Sequence, residues 1–285
     1  MISQNFEYSA PSDLKEALGL IADGNAKVLA GGMSLVPLMK LRLAGPDQVV
    51  DIGRIKDLNY IRESGGMLHI GATTTHDQIE SSAVLRSKCP LLAEAAGHIG
   101  DVQVRNMGTI GGSTAHADPA ADYPASLQAL EARLKLVSAK GERTVSAADF
   151  FVDTFTTVLE PGEIIAEVIV PVEDSGTGTS YHKVVQPASG FAIVGVATRV
   201  KKAGGKIAMA RVGVTGFANK SYRAVSVEKA LEGTAGALAD IQKASALVAQ
   251  GVDANSDLYA SAEYRAHLAR VYTARALASA LSRTS

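Results

Sequence analysis

Two glycine pairs constrain this chain more than any other feature. One stands in Ala30-Gly31-Gly32-Met33-Ser34-Leu35, the other in Thr109-Ile110-Gly111-Gly112-Ser113. Glycine permits positive φ and a close backbone approach. Successive N–H groups in such turns form a concave nest for an anion. One nest suits one phosphate; two nests, joined by the fold, suit a pyrophosphate. Neither segment is a G-x-G-x-x-G or a G-x-x-x-x-G-K-[ST] motif, so a single Rossmann fingerprint or P-loop is excluded. A lone glycine pair also serves as a plain turn, and Ser34 as a plain helix N-cap.

The bulk of the sequence narrows the function classes. With 285 residues the chain has room for two domains and further subdomains. A formal net charge of −1 gives no bias toward nucleic acid or an anionic membrane. The chain has no tryptophan and only 5% aromatic residues, which argues against base-stacking platforms. No apolar run reaches the length of a membrane span. Met1-Ile2-Ser3-Gln4-Asn5 lacks the blocks of a signal peptide, so a cytoplasmic location is expected. The one cysteine, Cys89, can neither close an internal disulfide nor hold an iron–sulfur cluster by itself. It reads as a packing residue at a helix start. The six histidines form no H-E-x-x-H or similar pair, and no metal is expected in this chain.

Taken in order, Ser12 or Asp13 opens a helix carrying Leu14, Ala17, Leu18 and Ile21 at helical spacing. Ala26–Ala30 reads as a strand delivering Gly31, and Leu35–Leu43 as a helix whose start favours negative charge. Gln48–Ile52 and Leu68–Ala72 read as strands, with a turn at Gly65-Gly66. Helices are expected to start within Thr73-Thr74-Thr75-His76-Asp77-Gln78, to cover Pro90–Ile99, and to run from Asp118-Pro119 to Leu130; Val102–Asn106 is read as lead-in to Thr109. Leu134–Val137, Arg143–Val145 and Ile164–Val170 follow as strands. Asp174-Ser175-Gly176-Thr177-Gly178 is the clearest linker. Beyond it, Ser180–Val185, Ala192–Val200 and Lys206–Thr215 read as strands before alanine-rich helices, an α+β unit. In those helices Leu238, Ile241, Ser245 and Val248 share one face, and Tyr264, Leu268, Val271 and Leu277 suggest a long final helix.

Several motifs in one order resemble a known family. Besides the two glycine segments they are His116-Ala117-Asp118-Pro119-Ala120-Ala121-Asp122, Gln186-Pro187-Ala188-Ser189-Gly190-Phe191-Ala192, and Ser261-x-x-Tyr264-Arg265-x-x-Leu268 with Arg275-Ala276-Leu277. The chain resembles, over nearly its whole length, the FAD-binding medium subunit of molybdenum hydroxylases. That group includes bacterial carbon monoxide dehydrogenase and the flavin domain of xanthine dehydrogenase. The resemblance implies an α+β fold: a two-subdomain FAD-binding domain of the vanillyl-alcohol-oxidase-like type over residues 1–173, split at about residue 56. A medium-subunit domain with a three-stranded antiparallel sheet and three helices follows over 179–285.

The resemblance also implies roles. Ala30, Gly31, Gly32, Met33, Ser34 and Leu35, with Thr109, Ile110, Gly111, Gly112 and Ser113, match the loops that hold the pyrophosphate by backbone N–H groups. Asp122 matches an acid that hydrogen-bonds sugar or ribityl hydroxyls, though an early-helix acid is also favoured by the helix dipole. Ile165 matches an apolar position against flavin or adenine, or is plain core. Lys183 matches a basic position near the flavin ring, with different local spacing. Ile99 stands where the xanthine dehydrogenase branch has an aromatic. His116 contacts FAD or is structural, and Phe191 shields the ring. The implied assembly is a heterotrimer, paired into a dimer. A large subunit carries molybdenum cofactor, a small one carries two [2Fe-2S] clusters, and this chain passes electrons through FAD to an external acceptor. No acid–base catalyst is assigned to it. Two other readings stay open: a stand-alone FAD-dependent oxidase or dehydrogenase, and a non-enzymatic module whose glycines are only turns. On the site reading, Gly111→Val should abolish FAD retention with the fold intact. Asp122→Ala should weaken FAD binding by roughly 1–3 kcal/mol.

Overall fold

The computed structural model describes residues 2–284. The N-terminal subdomain holds β1 (Glu7–Ser9), α1 (Leu14–Leu20), β2 (Lys27–Leu29), α2 (Leu35–Lys40) and β3 (Gln48–Asp51). Asp13 caps α1 by accepting from the Glu16 N–H. The three strands are parallel in the order β1-β3-β2, which requires helical crossovers. Ala17, Ile21, Val50, Ile52 and Ile55 form its core together with Val137, Ile164 and Ala166 of the next subdomain.

The second subdomain begins with β4 (Ile61–Ser64) and β5 (Met67–Gly71). They form a hairpin whose Gly65 and Gly66 both have positive φ, as a tight two-residue turn demands. Then come α3 (His76–Ser81), α4 (Ala83–Lys88), α5 (Pro90–Gly97), α6 (Val102–Met107), α7 (Ile110–His116), α8 (Asp122–Ala129), β6 (Arg133–Ser138), β7 (Gly141–Ser146), α9 (Ala147–Phe150), β8 (Phe151–Asp153), β9 (Thr156–Thr157) and β10 (Ile164–Pro171). The main sheet is antiparallel in the order β4-β5-β10-β6-β7. Central β10 is buried throughout Ile164–Val170, which explains its nearly continuous apolar run. Its one charged residue, Glu167, is held by Tyr60 (2.6 Å), His69 (2.9 Å) and Arg62 (3.3 Å). Fully buried Cys89 packs in this core just before α5, as its setting suggests.

The C-terminal unit holds β11 (Thr177–Val185), β12 (Ala192–Ala203), β13 (Lys206–Thr215), β14 (Tyr222–Arg223), α10 (Val225–Leu231), α11 (Leu238–Ser245) and α12 (Ala262–Ser282). Its sheet is antiparallel in the order β11-β12-β13-β14, so a two-residue strand extends the expected three. Helix α12 packs through Leu268, Ala269, Ala276, Leu277 and Ala280. Of the residues grouped on helix faces by spacing, Tyr264 is 48% and Leu238 68% exposed; neither belongs to the core.

Besides shorter ends, where α2 stops at Lys40 and β11 takes in Thr177 and Gly178 of the expected linker, three segments differ from the sequence reading. Residues 102–107 form a helix, capped by the Asp101 carboxylate on the Val104 N–H, and none of the six residues is buried. The second glycine pair lies inside the first turn of α7 rather than in a loop. Helix α8 starts at Asp122, because Asp118–Ala121 forms a turn in which the Asp118 carboxylate accepts from the Ala120 N–H at 2.8 Å.

Candidate functional site

The fold brings the two glycine pairs together. A Cβ on Gly31 would lie 1.9 Å from the Met107 carbonyl oxygen and 2.8 Å from the Gly108 Cα. Nothing larger than glycine allows the β2–α2 turn to touch the α6–α7 turn. Gly32, at φ +73°, then bends the chain into α2.

The two segments are unequal as anion sites. Among the described residues, no protein acceptor faces the N–H groups of Gly31, Gly32, Met33, Ser34 and Leu35. Ser34 itself is helical at φ −104°, ψ −50°, and its hydroxyl makes no cap. The plain N-cap reading of Ser34 is therefore corrected: its Oγ is spare. In the second segment the N–H groups are engaged. Ile110 donates to the Thr74 carbonyl (3.1 Å), Gly111 to Ala72 (2.9 Å), Gly112 to Thr109 Oγ1 (3.2 Å) and Ser113 to the Thr109 carbonyl (2.9 Å). The α7 cap and the Ala72–Thr74 edge thus supply partners to these donors. Thr109 and Gly111 are buried, whereas Gly112 is exposed and Ser113 half-buried. The first turn of α7 thus leaves the bare Cα of Gly112 exposed beside the half-buried Ser113.

His76 fixes this junction from below. Its backbone N–H donates to the Gly108 carbonyl, and its Nδ1 lies 3.2 Å from the Tyr123 hydroxyl. A Cβ on Gly108 would meet His76 Nε2 at 2.6 Å. Burial, aided by the nearby Arg105 charge, pushes the His76 pKa down to about 4. Arg105 pairs with Glu80 at 2.8 Å and donates to the Ile99 and Gly100 carbonyls. Ile99 thus bonds Arg105 through its carbonyl while its half-buried side chain packs against the core.

Asp122 and Lys183 form one buried cluster where the C-terminal unit meets the cleft. Asp122 accepts from the Tyr181 hydroxyl at 2.6 Å and lies 2.9 Å from Lys183 Nζ. Burial raises the Asp122 pKa, opposed by the Lys183 charge and the Tyr181 hydrogen bond. Lys183 Nζ also donates to the carbonyls of His98 (2.7 Å) and Gly190 (2.8 Å), which fills its three donors. Neighbouring ties run the same way. Thr215 Oγ1 bonds the Pro119 and Ala121 carbonyls, and the Gly216 N–H bonds Pro119. Buried Arg265 reaches the Gly216 and Ile193 carbonyls, which gives the closing motif its part. Sequence reasoning missed Tyr181, Thr215 and Arg105; as a tyrosine, a threonine and an arginine outside any recognised motif, they carried no local signal.

The remaining sequence candidates divide. Phe191 is 42% exposed on a loop tied by Gln186 Oε1 to Ser189, and the neighbouring Gly190 (φ +75°) packs on Gly100. Met33 and Met107 are exposed beside the glycine contact. His116 ends α7 half-buried, its ring 5.0 Å from Phe155, and burial lowers its pKa. Ile165 is 3% exposed within the second subdomain's core.

Two α+β subdomains meeting at an anion-ready glycine turn, with a sheet-and-helix unit closing over them, define a two-lobed nucleotide-cofactor protein. Comparison with known proteins makes this specific. Residues 4–173 match the family model described as the FAD binding domain in molybdopterin dehydrogenase, and residues 179–280 match the CO dehydrogenase flavoprotein C-terminal domain. The chain is 39% identical to the carbon monoxide dehydrogenase medium chain of Hydrogenophaga pseudoflava, covering 99% of both. It is 40% identical to the glyceraldehyde dehydrogenase medium chain of Sulfolobus acidocaldarius, covering 97% of this chain and 98% of that one. A solved structure of the Hydrogenophaga carbon monoxide dehydrogenase superposes with a TM-score of 0.97 at 41% identity, covering 100% of both chains. The chain belongs to the family of FAD-binding medium subunits of molybdenum-containing dehydrogenases. No helix among the described residues is long and apolar enough to cross a membrane.

Proposed function

We propose that the chain holds one FAD across the cleft between its subdomains and relays electrons through it. The donors would be [2Fe-2S] clusters of a small partner subunit, reduced by a large molybdenum-cofactor subunit, and the acceptor is external. The assembly would be a cytoplasmic heterotrimer, paired into a dimer. The observation that carries the reading is the run of five N–H groups from Gly31 to Leu35 that lack protein acceptors, pressed against the α6–α7 turn. Several convergent neutral donors and a spare Ser34 hydroxyl suit phosphate oxygens. The exposed apolar side chains of Met33, Met107 and Phe191 suit a flat ring. The residues present therefore fit FAD.

Bound FAD supplies the electron-transfer chemistry, and the protein supplies binding, orientation and electrostatics. Residues 30–35 hold the pyrophosphate, with Gly112 and Ser113 as its opposite wall and Thr109, Ile110 and Gly111 setting that wall in place. Asp122 keeps lone pairs beyond those used by Tyr181 and Lys183, and accepts from an FAD hydroxyl. Lys183 acts as a positioning residue, because its amine is already saturated. It pins the Phe191 loop to α5, and Phe191 covers one face of the ring. Ile165 supports the cleft floor from the core, and His116 lies toward the adenosine half. The relatives are named for carbon monoxide and glyceraldehyde. The substrate of the complex is accordingly chosen on the large subunit.

Isolation of the chain with its partners from the native host tests this. A large and a small partner, with molybdenum, iron and flavin in one complex, is the expected result. A yellow chain that carries no metal-bearing partner and is reduced directly by an organic substrate would overturn it.

A further inference from the structure

The β8–β9 hairpin carries a feature that neither packing nor the glycine turns explain. Phe155, between the two strands, sits at φ +51°, a left-handed conformation that bulky residues rarely adopt. Its ring is 56% exposed, so core burial does not hold it there. The backbone does: the Phe155 N–H donates to the carbonyl of Ala117, itself at φ +50°. The preceding Thr154 Oγ1 donates to the Asn219 carbonyl, and Lys220 Nζ donates to the Phe151 carbonyl. The hairpin is thus tied to the end of α7 and to the C-terminal unit. One face of the ring rests on His116 at 5.0 Å, tilted by 40°, and the rest is open. Strained conformations that the surroundings over-determine cluster at ligand sites.

The position of the ring along the cleft selects its ligand. Helix α7 starts beside the glycine contact and ends at His116. At about 1.5 Å per residue, that end stands about 9 Å beyond the contact. Phe191 is exposed near Gly100, at the C-terminal unit's side of the junction. One open phenylalanine thus stands at the far end of α7, against His116, and another stands on the loop beside Gly100. Aromatic faces hold bases by stacking, whatever the base edge presents.

Resting on the FAD reading above, we propose that Phe155, backed by His116, is the stacking platform for the adenine of the dinucleotide. The backbone that carries the ring is fixed in advance by its hairpin and the Ala117 bond, and His116 backs one face of the ring.

The test uses the full-length chain, freed of flavin and titrated with FAD and with FMN, which lacks the adenine. Phe155→Gly removes the ring and suits the positive φ, so the variant keeps the wild-type melting temperature or exceeds it. Phe155→Asn, also tolerant of that conformation, is the second variant, and Phe155→Trp the rescue. The expected result is about a tenfold loss of FAD affinity in the Gly and Asn variants, unchanged FMN affinity, and recovery in Trp. Unchanged FAD affinity, or equal loss of FAD and FMN, would overturn the assignment while leaving the FAD site standing. Failure of the wild-type chain to bind FAD at all would overturn the FAD reading and this proposal with it.

Discussion

At the scale of residues, the glycines part according to what stands opposite them. A Cβ on Gly111 would lie 2.5 Å from Ala72 Cβ and 2.7 Å from its carbonyl oxygen. The sequence-based expectation that Gly111→Val spares the fold therefore gives way: the variant should lose more than the 1–3 kcal/mol typical of overpacking and melt early. Gly112 is different. It is exposed, and an added Cβ meets only the capping Thr109 Oγ1, at 2.8 Å, so that one hydroxyl must shift while no backbone does. Gly112→Ala should keep its fold and lose FAD, which thermal melts read alongside flavin content would show. The Asp122–Lys183 pair makes a second residue-scale prediction. Lys183→Met strands a buried carboxylate and should cost roughly 3–5 kcal/mol in denaturant unfolding. Asp122→Asn combined with Lys183→Met should cost clearly less than the sum of the two single changes. Strict additivity would mean that the two side chains do not depend on each other.

At the scale of elements, periodicity and caps were legible and irregular helices were not. A helix does start within Thr73–Gln78, where Thr75 and Gln78 form a capping box, Asp13 rather than Ser12 caps α1, and the hairpin turns at Gly65-Gly66. Helix α6 escaped because it buries nothing, so no apolar face is written into Val102–Met107. Helix α7 escaped because a glycine pair argues against helix, while the compensation comes from the Thr109 cap and the Ala72 edge, both tertiary. The α3 start carries a pH prediction. His76, its first residue, is held down to a pKa of about 4 by burial and the Arg105 charge, against 6.5 when exposed. Between those values the unfolded chain binds the extra proton, so stability falls as pH drops from about 6.5 toward about 4. The loss is roughly 3 kcal/mol at most. Urea unfolding midpoints should show this slope in the wild type and lose it in His76→Gln. An equal slope in both would assign the acid sensitivity elsewhere.

At the scale of the whole molecule, the order of units was readable and their joints were not. The motifs in sequence order imply the family, but nothing in Lys183 says that it spans α5, α8 and the Phe191 loop, nor in Thr215 that it holds the Asp118–Asp122 turn. Apart from the Lys183–Gly190 bond, these contacts join residues 59 to 96 apart and leave no local pattern. Their consequence is that cofactor and C-terminal unit support each other. Bound FAD should raise the melting temperature of the whole chain as one transition, since a ligand stabilises whatever folds with its site. Separate transitions for the two units, only one of them shifted by FAD, would contradict that coupling.

The most direct measurement is the identity and amount of flavin released when the purified, correctly folded chain is denatured. FAD, non-covalently held, is expected at one per chain, and none from Gly112→Ala. A folded wild-type chain that yields no FAD, or a Gly112→Ala chain that yields as much as the wild type, would contradict it.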